Sequence, residues 1–177
     1  MDLLIVKEAL DKNQVFDQEI KDNILDLVGI FHKSFPDVNL NNLCKNLSNL
    51  KVEKTSSFVS RFPLDYNAKL NKITINPKEL EKVKDARNLL MNIVIRLIVT
   101  NNGVTGFDAG GKFLALNIGY IAGIANMLVG NEEEHDFYTD EIIATNLFGK
   151  IVGDEILAEA FFKNNPELII DKVNEGD

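Results

Sequence analysis

Histidine and cysteine are almost missing from this chain, which holds His32, His135 and Cys44 and no others of either kind. One thiol can close neither an internal disulfide nor a thiolate metal cage, so a reducing compartment, the cytoplasm, is the expected location. Cys44 stands between Leu43 and Leu47 on an apolar helix face, where a buried structural thiol is expected. Tryptophan is absent. Long apolar runs are missing too: the most apolar stretch, around Ile93, is interrupted by Arg96, well short of the roughly 20 residues that span a bilayer. The start, MDLLIVKEALDK, lacks the basic opening and long apolar core of a signal peptide. Positive charge is scarce: a net charge of -8 and a pI of about 4.8 leave no field to attract phosphate backbones. Neither a membrane nor a nucleic acid is an expected partner, and no cofactor is expected.

What is present suits a single folded domain. A length of 177 residues can bury roughly two thirds of the unfolded surface, and a 45% hydrophobic, 26% charged composition is near the globular average. Richness in Asn, Lys, Ile and Leu is what an AT-rich bacterial genome encodes. No internal repeat or linker interrupts the chain.

Hydrophobic spacing divides it into a helical N-terminal part (1–50), a small sheet with central helices (51–130) and C-terminal helices (139–174). Ile20, Ile24, Leu27, Val28 and Phe31 recur at helical spacing before Pro36. Asp37 or Asn39 caps a short helix carrying Leu40, Leu43, Leu47 and Leu50. From Lys51 the pattern becomes polar and β-branched, and YNAKLNKITIN predicts a hairpin turning at Asn67–Leu70 into a strand over Lys72–Ile75. Pro77 opens one long helix expected to run to about Asn101. KFLALN, beginning at Lys112, reads as a strand, and Gly119–Val129 as a helix. Thr139 or Asp140 caps a helix ending near Gly153, Asp154 restarts one, and Pro166 begins the last. The class is α+β, mostly α, with a small hairpin or sheet.

The central stretch NLLMNIVIRLIVT, Asn88–Thr100, has the build of a helix that in zinc peptidases carries His-Glu-x-x-His. That motif puts two imidazoles at i and i+4 on one metal and a general base between them. With the apolar positions in phase, Asn92 and Arg96 stand where the histidines would, and Ile93 where the glutamate would. LNIGY, Leu116–Tyr120, stands where a third ligand follows in an Asn-Glu-Gly turn, with Ile118 at that ligand position. The stretch from about Tyr66 to Ile170 resembles a degenerate gluzincin-type zinc metallopeptidase domain. NKITINP resembles the edge strand that lines the substrate cleft of such enzymes. The resemblance implies a scaffold of helix, connecting hairpin and ligand helix, emptied of metal and catalytic residues. It implies a pseudoenzyme that binds a peptide, a protein partner or a small anion through Arg96, with Asn92 and Asn117 beside it. The same residues also read as ordinary buried helix, in which Asn92 makes a local hydrogen bond and Arg96 snorkels or pairs with an acid.

Other candidates are weaker. Glu132–Asp136, with His135, is an acidic loop that lacks the alternating oxygens and central glycine of a calcium loop. His32 is expected against the carbonyls ending its helix. Gly106–Lys112 fits the first seven positions of a phosphate-binding loop, but Phe113 replaces the required hydroxyl, a helix is expected before it and a strand after it. Two further functions stay open: a helical interaction or assembly protein without an ancestral site, which predicts no cleft between the long helix and LNIGY, and a hydrolase using Asp108 and Glu141.

Overall fold

The computed structural model describes residues 2–56, 62–108, 110–133 and 137–176. Its order is α1 (Asp2–Lys12), α2 (Gln18–Ser34), α3 (Asn41–Ser48), β1 (Lys51–Lys54), β2 (Leu64–Asn67), β3 (Lys72–Ile75), α4 (Pro77–Leu80), α5 (Ala86–Val99), β4 (Thr100–Asn101), β5 (Val104–Thr105), α6 (Leu114–Val129), α7 (Thr139–Val152), α8 (Asp154–Phe162) and α9 (Glu167–Asn174). The protein is a mostly helical α+β domain.

Helix α5 is the axle. From Met91 to Thr100 every residue but Arg96 is buried. Helices α2 and α3 pack on it from the N-terminal side and α6 from the other, while α1 closes over α2 and α3. The expected apolar stripe of α2 holds, with Ile24, Leu27, Val28 and Phe31 buried. Its N-terminus is capped by the Asp17 carboxylate, which accepts from the Ile20 N–H. One core cluster runs from Val6 on α1 to Ile169 on α9.

The hairpin β2–β3 forms as expected, with Leu64 opposite Ile75, and β1 adds to β3 in parallel, giving the mixed order β1-β3-β2. The strand NKITI is therefore central, and β2, not β3, lies at the edge. Ser57, the end of the polar stretch read as extended, lies outside the described residues.

Four local expectations need correction. The long helix from Pro77 is two: α4 stops at Leu80 and α5 begins after Asp85, whose carboxylate caps it by accepting from the Asn88 N–H at 2.9 Å. The break is held from far along the chain, because the Glu133 carboxylate accepts from the N–H groups of Lys84 and Asp85. KFLALN is not a strand, since α6 starts at Leu114. The strand role belongs to β4–β5, turned by Asn102 and Gly103, both at positive φ as a tight two-residue hairpin loop requires. Caps also shift by a residue: Leu40 and Tyr138 occupy the N-cap positions of α3 and α7, while Asn39 still accepts from the Asn41 N–H. His32 approaches Asp2 of α1 at 3.8 Å instead of the carbonyls of its own helix.

Gly119 lets α6 and α7 touch. A Cβ there would overlap the Glu141 carbonyl and the Thr145 hydroxyl, whereas one at Gly123, a helical turn later, would meet nothing. Gly119→Ala should therefore destabilise the protein by about 1–3 kcal/mol through overpacking. Gly123→Ala should stabilise it by about 0.5–1 kcal/mol through helix propensity. Urea unfolding of both variants checks the opposite signs.

Candidate functional site

Between the C-terminal half of α5, the edge strand β2, the β4–β5 hairpin and the start of α6 lies a cleft of about 400 Å³. Arg96, Asn117 and Ile118 all line it, together with Asp65, Tyr66 and Asp108. Asn92 does not line the cleft itself but reaches it through Arg96: its Oδ1 accepts from the Arg96 Nε at 2.9 Å. Thus the i, i+4 pair that would hold two imidazoles on one metal here closes on itself as amide and guanidinium. Ile93 departs from the expected phase. It lines a second cavity, on the α2 side of α5, and is absent from the lining of the cleft.

Arg96 is the site's main electrostatic feature. Its side chain is 12% exposed, and its Nη1 stands 3.9 Å from Asp65 Oδ1, on a carboxylate that is itself 66% exposed. An ion pair this long and this wet contributes little. Among the described residues no hydrogen bond engages either terminal nitrogen, so both remain available to an anion.

Asn117 is 4% exposed. Its Nδ2 donates to the Thr105 carbonyl at 2.8 Å, which ties α6 to the hairpin, and its Oδ1 has no hydrogen-bond partner among the described residues. That oxygen abuts Gly106, at positive φ, where a Cβ would strike both Asn117 Oδ1 and the Phe161 ring. On the opposite wall the Tyr66 hydroxyl donates to Asn71 Oδ1 at 2.7 Å. Burial pushes the Tyr66 phenol up to about 12, against an opposing hydrogen bond with Thr100.

The remaining sequence candidates separate. Asp108 lines the cleft but Glu141 does not; its backbone carbonyl packs at Gly119, so the carboxylate pair does not assemble there. The phosphate-loop context is the reverse of the expectation, because strand β5 precedes the turn and helix α6 follows it. The turn is nevertheless occupied from within, as Asp108 Oδ1 accepts from the Gly111 N–H. Ala109 in that loop, and His135 with Glu134 and Asp136, lie outside the described residues. Among the described residues no three His, Cys, Asp or Glu side chains gather to hold a metal ion, and no helix is long and apolar enough to cross a membrane. Cys44 is half-buried, and burial raises its thiol pKa.

Sequence reasoning missed Asp65 and Tyr66, which reach the cleft only through the register of β2 on β3. No family model, no curated protein and no solved structure matches the chain.

Two of the three tyrosines, Tyr66 and Tyr120, have phenols raised to about 12, chiefly by burial. A phenol raised in the folded state is neutral below its unfolded value of about 10, so its contribution to stability is complete there and is lost as pH climbs toward 12. Absorbance titration should find these two phenolates forming only above about pH 11, with urea stability falling from about pH 10 upward. Ordinary ionisation of Tyr66 and Tyr120 near pH 10 would contradict the burial.

Proposed function

We propose that this is a non-catalytic binding protein on a peptidase-like scaffold, and that it captures a peptide through a carboxylate held by Arg96. The observation that carries the reading is that Arg96, Asn117 and Ile118 line one cleft, between helices α5 and α6 and against the edge of a sheet. The order helix, hairpin, helix across α5, β4–β5 and α6 supports the likeness to the gluzincin arrangement. In this cleft the fixed charge of Arg96 repels a dication, and Ile93, turned into the other cavity, supplies no group to move a proton.

Arg96 offers terminal donors in a fork that matches a carboxylate, with Nε already anchored by Asn92. Beside it, the outer edge of β2 has no strand partner among the described residues, so an extended peptide can lie along it by main-chain hydrogen bonding. Partner class, location in the cytoplasm and absence of a cofactor belong to the same reading.

A second reading, assembly through a helical surface, draws on another observation. Ile143, Leu147 and Ile151 form an exposed stripe at four-residue spacing on α7, with Ile151 75% exposed. The presence of a cleft between α5 and LNIGY favours the first reading.

Fluorescence anisotropy with a random peptide pool bearing free carboxyl ends, beside the same pool amidated, tests the proposal. The free-ended pool should bind, the amidated one should bind more weakly, and Arg96→Gln should lower affinity about tenfold or more. Equal binding of both pools, or an unaffected Arg96→Gln variant, would overturn it. Stoichiometric zinc in the purified protein, lost on changing Asn92 or Arg96, would remove the non-catalytic reading as well.

A further inference from the structure

The cavity that receives Ile93 is separate from the cleft and has a different character. It encloses about 470 Å³ between α2, the inner face of the β2–β3 hairpin, α4 and α5. Apart from Asn23 and Arg87 its walls are aliphatic or aromatic, among them Leu27, Leu64, Ile73, Leu89 and Ile93. Leu27 is fully buried and Ile73 and Ile93 nearly so. A partly open apolar pocket offers water few hydrogen-bonding partners. A volume inside the roughly 300–1,000 Å³ range of small-molecule pockets, with such a lining, is suited to an alkyl chain.

One lining residue among those described is charged, and it sets the head group. Arg87 lines the cavity and is half-exposed, and its Nη2 meets Oδ2 of Asp26, a residue outside the cavity lining, at 2.7 Å. Both partners of that ion pair are solvated, so it contributes little. A guanidinium has five donors, and the bond to Asp26 leaves others for a second carboxylate.

We propose that this cavity binds a medium-chain alkyl carboxylate, with the chain between α2 and α5 and the carboxylate on Arg87. The site is independent of the Arg96 cleft: Leu64 of β2 faces the cavity, while Asp65 and Tyr66 line the cleft.

Calorimetric titration of the full chain with hexanoate, octanoate, decanoate and octanol tests this. One-to-one saturable binding is expected, tightening about fourfold per added methylene until the cavity is full. Octanoate should bind about tenfold more tightly than octanol. Arg87→Gln, at a half-exposed position, should remove that difference and leave octanol binding unchanged. In the unaltered protein, methyl resonances of Ile73, Leu89 and Ile93 should shift on adding octanoate, and those of Ile118 should not. Failure of every ligand to saturate would overturn the proposal. So would octanol binding as tightly as octanoate, an Arg87→Gln variant that keeps the preference, or shifts confined to the cleft. None of these results bears on peptide capture at Arg96, which is read by different ligands and a different variant.

Discussion

The last turn of α5 ends inside the protein, and its carbonyls must find donors there. A helix leaves its final carbonyls without intrahelical partners, and an unpaired buried one costs about 1–3 kcal/mol. Asn46 of α3 sends its Nδ2 to the carbonyls of Leu97 and Thr100 at 2.9 Å each. Asn164, between α8 and α9, sends its own to Val99 at 2.8 Å and to Gly106 at 2.7 Å. The Thr100 hydroxyl takes the Arg96 carbonyl, and the Gly106 N–H also reaches Val99. Helix α3 and the α8–α9 connection are thereby both fastened to one helix terminus. The hairpin fixed there presents Thr105 to Asn117, which positions α6 against the cleft.

This arrangement explains how α5 tolerates an arginine. A buried charge without partners is very costly, whereas a long side chain can bury its stem and leave its head at water. Arg96 does this in the cleft, with Nε satisfied by Asn92 one turn earlier. The two readings of the Asn92–Arg96 pair, remnant of a site and ordinary helix chemistry, both include this hydrogen bond. What distinguishes the position is the open space beyond the guanidinium.

Much of the architecture was legible because it is local. The apolar period of α2, the turn before β3 and the restart at Asp154 are each written within a few residues. The division of α4 from α5 was not, because the helical period runs across it and Glu133, distant in sequence, supplies the bonds that hold the break. The KFLALN stretch misled because a short apolar run fits either a strand or a buried helix. A local signal could have redirected it: Asn102-Gly103 is a strong hairpin dipeptide, and placing the hairpin there leaves the following run free to be helical. At the site, Arg96 was reachable on its helix, whereas Asn117 and Ile118 were reached only through a motif likeness, since the helix there was expected to begin at Gly119 and begins at Leu114. Asp65 and Tyr66 were not reached, since strand register decides which wall they join. The asparagines were misjudged differently. Read as a trace of base composition, several are clamps, each a short amide that donates to a distant backbone carbonyl at modest cost in side-chain freedom.

Ile93 and Arg96 are three residues apart, which on a helix separates them by only about 60°. In this packing that small angle divides an apolar cavity from a polar cleft, both of which β2 borders. Leu64 falls on one side and Asp65 on the other. A carboxylate at position 93 would enter the mostly aliphatic cavity that Leu27 and Ile73 line, at a cost in lost hydration. An aliphatic residue at position 93 suits the way α5 packs on α2. A proton-transfer site at that position would need α5 to rotate, which the clamps of Asn46 and Asn164 on its final turn oppose.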